Sequence, residues 1–246
     1  MSKLPRPPTD DRKSWASIFA AWTTNGTGHA YPQLVRDRIP EADIGDGRTP
    51  DRETARRLIA GTVSVNPAVR ELMSQVTRDY GGVARLLKIV LTDADRMTAL
   101  HNTGLLDDAP RLALDQFAEL TAEALGVPYA ALWIVADDRQ ICLGSNHPNA
   151  HVEKFHLLDR SIGKYAVASD QPLIVEDITK HPLLADHPYA LTGEVRAYAA
   201  FPLHDVGGNA VGTLSAWDVR PRPWTSGQVQ ILEDLSAAAH AKILGA

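Results

Sequence analysis

The chain has 246 residues, with 25 Lys and Arg against 30 Asp and Glu, a formal charge of −5, 44 % hydrophobic residues and only 6 % aromatics. That length holds one large domain or two ordinary ones, and the composition is that of a soluble globular protein with an aliphatic, Ala-rich core. The acidic balance argues against nucleic-acid binding, which needs a concentrated basic face. No apolar run reaches the roughly 18 residues that cross a bilayer.

Residues 1–12 are polar and Pro-rich, without the apolar segment of a signal peptide. The expected location is the cytoplasm, with no membrane contact. The same tail is expected to be disordered or loosely attached. Trp15 to Trp22 carries large apolar residues at helical spacing. Thr23 to Ala30 holds Asn25-Gly26 and Gly28 and is expected as a loop. A second helix is placed near Tyr31 to Arg38, ending before Pro40, and Glu41 to Pro50 is again loop-like.

Asp51 is a candidate N-cap ahead of a helix over Arg52 to Val63. Asn66-Pro67 is a stronger start, an N-cap followed by Pro at the first helical position. The helix it opens puts Val69, Leu72, Met73 and Val76 on one face, and Gly81-Gly82 breaks it. Residues 1–80 thus read as a small all-helical region with a disordered start. From Val83 a stripe of Val83, Leu87, Val90, Ala94 and Met97 recurs at steps of four and three. It predicts one connecting helix over Val83 to Leu100, within a segment 81–106. That helix either packs on its own domain or also pairs two subunits through these five residues.

The remainder, 107–246, reads as one α+β domain. A helix over Arg111 to Leu125 carries Leu114, Phe117, Thr121 and Leu125 on one face, and Gly126 suits the position after its end. The strand Tyr129 to Val135 is apolar on both faces, as a covered central strand should be. Asp137-Asp138 turns it into a returning strand at Gln140 to Leu143. Gly144 to Asp159 is looser. Ser161 to Ser169 is expected as a short helix, Pro172 to Val175 as a strand, and Glu176 to Arg196 as a loop. Two β-like runs, Ala197 to Leu203 and Val211 to Trp217, are joined by a glycine-bearing turn. The last helix starts with a capping box, Thr225 to Gln228, and aligns Leu232, Leu235, Ala239 and Ile243. Strands joined by tight turns make the sheet largely antiparallel, and the end helices pair on one of its faces.

Several stretches in this region resemble a known family. These are Arg96 to Leu100, Gly104 to Asp107, Leu125 to Pro128, Asp137 to Gln140 and Val175-Glu176-Asp177. They continue with His181 to Pro188, Arg196 to Leu203, Gly212-Thr213-Leu214, Trp217-Asp218 and Arg220-Pro221-Arg222. Their order and spacing resemble a bacterial subgroup of GAF domains over about 150 residues, Arg96 to Ala246. The resemblance implies a sensory or regulatory, non-catalytic module, often dimeric. It implies a small-molecule site between the sheet and the overlying helix-loop layer. It nominates Trp133, Ile162, Tyr165, Tyr189, Tyr198 and Ser215, which otherwise simply fill the core. The expected partners are a second copy of the chain in a homodimer, a signalling protein and a small molecule. The alternative is a structural dimerisation module with no ligand.

Cys142 is the only cysteine, which excludes an intramolecular disulfide, a cysteine-cluster metal site and a two-cysteine redox cycle. Relatives that reduce free methionine sulfoxide need several cysteines, so that chemistry is not expected. Gly163 stands where the subgroup often has the cysteine that holds a linear tetrapyrrole, so no covalent bilin is expected. Haem through His181 or His187, each followed by Pro, is not expected either. His147, His151 and His156 read as loop histidines rather than metal ligands. Neither a nucleophile elbow nor a phosphate-cradling Gly loop is found. Asp177 and Arg196 are expected to tie down the long loop. No output domain follows, so output is expected through a protein partner or the helical N-terminus.

Overall fold

Local capping signals set the first helices. In the computed structural model, which describes residues 49–106, 112–148 and 155–244, the Asp51 carboxylate accepts from Thr54 N at 2.7 Å and starts α1 (Arg52–Thr62). Asn66 accepts from the N–H groups of Ala68 and Val69 and starts α2 (Pro67–Asp79), with Pro67 in the first turn where its missing N–H costs nothing. α2 buries Val69, Met73 and Val76 and packs on α1. Gly81 and Gly82 end it at φ of 82° and 84°. The expectations for residues 1–48, including the helices at Trp15 and Tyr31, lie outside the described residues. Residues 51–246 form one compact unit.

The single helix expected over Val83 to Leu100 is instead two, α3 (Val83–Leu91) and α4 (Ala94–Asn102), parted at Thr92 and Asp93. Asp93 leaves the helical conformation and caps α4, accepting from Arg96 N at 3.1 Å. The Arg96 side chain, 1 % exposed, sits at this break. Its guanidinium donates to Leu91 O at 2.8 Å, to Ala210 O at 3.1 Å and to Val135 O. Leu91 O is one of the carbonyls that a helix end leaves without an internal partner. The stripe therefore divides. Leu87 and Val90 are buried within their own chain, Val83 and Met97 are half-buried, and Ala94 is exposed. A dimer through this stripe would first have to uncover Leu87 and Val90.

Six strands follow the helix α5 (Leu112–Leu125): β1 (Tyr129–Val135), β2 (Arg139–Ser145), β3 (Phe155–Leu157), β4 (Leu173–Val175), β5 (Ala197–His204) and β6 (Ala210–Asp218). They form one antiparallel sheet in the order β3-β2-β1-β6-β5-β4. β1 is thus central, as its two apolar faces require. The two strands that Gly126 and Gly208 precede are entered at positive φ, 62° and 81°. The Thr225 and Gln228 capping box opens the last helix, α8 (Ser226–Ile243), counted after α6 (Lys164–Ser169) and α7 (Pro188–Thr192).

Side-chain alternation divides the sheet into two faces. On one, Leu132, Ile134, Leu143, Ala199, Phe201 and Leu214 pack with Leu114, Ala118, Ala122 and Leu125 of α5 and with Leu232 and Ala239 of α8. The expected pairing of the end helices is present there. The other face is covered too, by α6, which lies against β5 and β6 and carries α1 and α3 on its outer side. The strand β3 and the helix α7 occupy stretches that the sequence leaves as loops. No described helix is long and apolar enough to cross a membrane.

Replacing Arg96 by Met would leave three buried carbonyls without their donor, each worth about 1–3 kcal/mol. Arg96→Met is expected to lower the unfolding free energy by about 3 kcal/mol or more, read from urea unfolding followed by circular dichroism. A loss under about 1 kcal/mol would show that the three acceptors are satisfied in another way.

Candidate functional site

The second face of the sheet presents Trp133 from β1, Tyr198 from β5, and Thr213 and Ser215 from β6. In the β1–β6 register Trp133 lies opposite Thr213, and Ala131 lies opposite Ser215. Ser215 Oγ donates to Ala131 O at 3.2 Å and lies beside the Tyr198 hydroxyl. Burial pushes the Tyr198 phenol well above its ordinary value, with the Ser215 hydroxyl acting in the opposite sense. The phenol is therefore a neutral donor at any physiological pH.

Gly163 closes this layer from above. It stands just ahead of α6, and a Cβ built on it would lie 2.9 Å from Thr213 Oγ1 and 3.3 Å from the Tyr198 hydroxyl. Not even a methyl group fits there without movement. Thr213 Oγ1 itself is buried and has no hydrogen-bond partner. Ile162, 3 % exposed, precedes the glycine.

A run of rings connects the layer to its rim. The Trp133 ring meets His156 of β3 edge to face at 5.4 Å, and Tyr189 of α7 approaches His156 Nδ1 with its hydroxyl at 3.5 Å. His187 stacks near Tyr189 at 5.4 Å, and Tyr189 lies close enough to Tyr198 to oppose formation of its phenolate. His187 caps α7 by accepting from Tyr189 N at Nδ1, 3.2 Å, so its hydrogen sits on Nε2. Burial, helped by the Lys164 charge, lowers its pKa to about 4, so the ring is neutral at pH 7. Lys164 Nζ donates to Leu158 O at 2.8 Å and lies 5.3 Å over the Tyr165 ring, its pKa lowered by burial. Tyr165 is buried on α6, and its phenol is raised by burial.

Five of the six residues nominated from the sequence, namely Trp133, Ile162, Tyr189, Tyr198 and Ser215, thus belong to this layer and its rim. Tyr165 follows at the start of α6. The sequence reading missed His156, His187 and Thr213. His187-Pro188 did carry a signal, since an N-cap side chain followed by Pro is a helix start. Chemically the site is rich in donors: Lys164 ammonium, the His187 Nε2–H, and the Thr213 and Tyr198 hydroxyls. Among the described residues no three His, Cys, Asp or Glu side chains come together to hold a metal ion. His147 instead packs against Tyr129 at 4.6 Å, and His151 lies outside the described residues.

The long loop is anchored as expected. Asp177, 9 % exposed, accepts from Thr179 N and Oγ1 and from Arg196 Nε and Nη2, and Lys180 Nζ lies 3.4 Å away. Burial alone would raise its pKa, but the Thr179 and Arg196 hydrogen bonds outweigh it and hold the carboxyl at about 2. Ile178 N donates to Arg196 O at 2.7 Å and completes the tie.

The family model of the GAF domain matches residues 110–243. No curated protein matches the chain. Among solved structures, the chain is similar to the GAF domain of a phosphoenolpyruvate-protein phosphotransferase from Acinetobacter, at 15 % identity and a TM-score of 0.44, covering 63 % of this chain and 99 % of that one. It is also similar to the free methionine-R-sulfoxide reductase from Neisseria meningitidis, at 19 % identity and a TM-score of 0.44, over 68 % and 89 % of the two chains. A third is the GAF domain of a phosphoenolpyruvate-protein phosphotransferase from Coxiella burnetii, at 16 % identity and a TM-score of 0.43, over 60 % and 94 %.

Two outcomes follow from this geometry. Gly163→Ala forces a Cβ against Thr213 and is expected to cost about 1–3 kcal/mol, measured as a lower Tm; an unchanged Tm would mean that the layer is looser than these distances. Asp177 has a folded pKa below the ordinary 3.8, so its stabilisation is complete above about pH 4 and is lost as the pH falls towards about 2. The stability deficit of Asp177→Asn should therefore shrink over that window in urea titrations, and a deficit that stays constant with pH would contradict the assignment.

Proposed function

The chain belongs to the GAF domain family, and on that footing we propose that it is a non-catalytic regulatory module that senses a small molecule between the sheet and α6. The observation that carries this reading is the close approach of Gly163 to Thr213 and Tyr198 beneath α6. The layer holds a buried hydroxyl without a partner at Thr213 Oγ1, and Gly163 closes over it while α6 stays in place. A ligand that offers an acceptor would satisfy that hydroxyl and would have to lift α6 in doing so.

α6 cannot move alone. Its outer side carries α1 and α3, and Asp170 at its end pairs with Arg56 of α1 and, at 2.5 Å, with His204 Nε2 of β5. Occupancy of the layer is therefore coupled to the position of the helices ahead of the sheet, which would pass the change to a signalling partner, with a second copy of the chain as one candidate. The single cysteine speaks against any redox chemistry that needs a second thiol to resolve a disulfide. A second reading, a dimerisation module whose layer stays shut, is favoured by the same tight packing.

The two readings separate in one experiment. The full chain is examined by native mass spectrometry for a copurified compound and by thermal unfolding against a metabolite panel. Sensing predicts a compound that raises Tm and changes deuterium uptake in residues 52–62 as well as 164–169. A bare chain that ignores the whole panel would leave the dimerisation reading standing instead. A compound that binds without any change in residues 52–62 would refute the coupling through α6.

A further inference from the structure

Away from the layer beneath α6, three further buried polar atoms lack partners. Arg70 Nε, Ser74 Oγ and His181 Nε2 are all buried, and none has a hydrogen-bond partner. Arg70 and Ser74 stand one turn apart on the same face of α2. His181, 2 % exposed, follows the 3₁₀ turn Ile178–Lys180 and lies near enough to Arg70 for that charge to add to the burial that keeps its ring neutral. Its Nδ1 accepts from Leu183 N at 3.3 Å, so its hydrogen is on Nε2 and the unpartnered atom is a donor.

Arg70 is half-buried, with one terminal nitrogen donating to Ser64 O at 3.0 Å. Only burial bears on its charge, and no carboxylate offsets that cost among the described residues. Three donor atoms are thus shielded from bulk water, beside a half-buried positive charge on which no carboxylate acts among the described residues. A donor that solvent cannot reach must be met by something held inside. A single water offers two lone pairs and no charge. A carboxylate or phosphate group offers several acceptor oxygens and the missing negative charge, and its hydrogen bonds to a guanidinium are the strong, charge-assisted kind.

We propose that Arg70, Ser74 and His181 form an oxyanion site between α2 and the loop after Ile178–Lys180, and that it takes a carboxylate or phosphate group. Arg70 supplies the charge, while Ser74 and His181 orient the oxygens. Because His181 belongs to the same loop that Asp177 anchors, the bound anion would pin that loop to α2. The proposal is independent of whether anything enters the layer beneath α6.

The test uses the full chain and two probes, inorganic phosphate and acetate, with sodium chloride at matched ionic strength as reference. Tm is expected to rise saturably with at least one oxyanion and not with chloride. A response to both identifies a general carboxylate and phosphate site, and a response to phosphate alone narrows it to phosphate. Arg70→Gln should abolish the response, and Ser74→Ala should weaken the apparent affinity about tenfold, the loss of one hydrogen bond to a charged group. Equal responses to chloride and the oxyanions would overturn the proposal, as would an Arg70→Gln variant that responds like the parent. If Arg70→Gln fails to fold, an undiminished response in Ser74→Ala overturns it equally.

Discussion

The fold turns on one buried guanidinium. Arg96 is almost wholly enclosed and is held by the carbonyls of Leu91, Val135 and Ala210, with Asp93 and Asp137 near enough to favour its charge while burial pulls its pKa down to about 10. A cation this deep is tolerable only where fixed dipoles replace its water. The three carbonyls come from the end of α3, the end of β1 and the start of β6, so the charge can be satisfied only where those points converge. The break between α3 and α4 belongs to the same arrangement. Ending α3 at Leu91 frees a carbonyl for Arg96, and turning the chain at Asp93 brings Arg96 back to meet it.

From that anchor the second side of the sheet is built in layers. The helices α1 and α3 lie on α6, and α6 lies on β5 and β6. A helix of six residues has no stability of its own in water, because nucleation outweighs so few hydrogen bonds. α6 is therefore helical because both of its sides are occupied, and its position reports on both neighbours. Asp170 marks the same dependence. It holds a left-handed φ of 52° without being glycine, and it is kept there between Arg56 and His204.

Much of this was legible in the sequence where the signals are local. Asp51, Asn66-Pro67 and the Thr225–Gln228 box each start a helix at the expected residue, because capping depends on three or four neighbours. The apolar run of β1 marked it as central. The interruption at Thr92–Asp93 was not legible: Val83, Leu87, Val90, Ala94 and Met97 fit one uninterrupted helix, and the Arg96 contacts that accompany the break reach Val135 and Ala210, far along the chain. β3 is three residues at a sheet edge, too short to carry a period, and it brought His156 to the site unseen. Trp133, Tyr198 and Ser215 were found through family likeness, whereas Thr213 looked like any strand threonine until Gly163 was seen against it.

The strand order carries a consequence for how the protein is made. β1 pairs with β2 at once through a tight turn, but its other neighbour is β6, near the end of the chain. During synthesis the first hairpin must wait with one edge open while the intervening strands, turns and loop emerge from the ribosome. An exposed, apolar strand edge is the part of a nascent chain most prone to pair with the wrong partner. Val135 and Ala210, two of the three acceptors of Arg96, come together only when β6 docks. Until that moment the arginine lacks the full set of carbonyls that holds it in the folded chain.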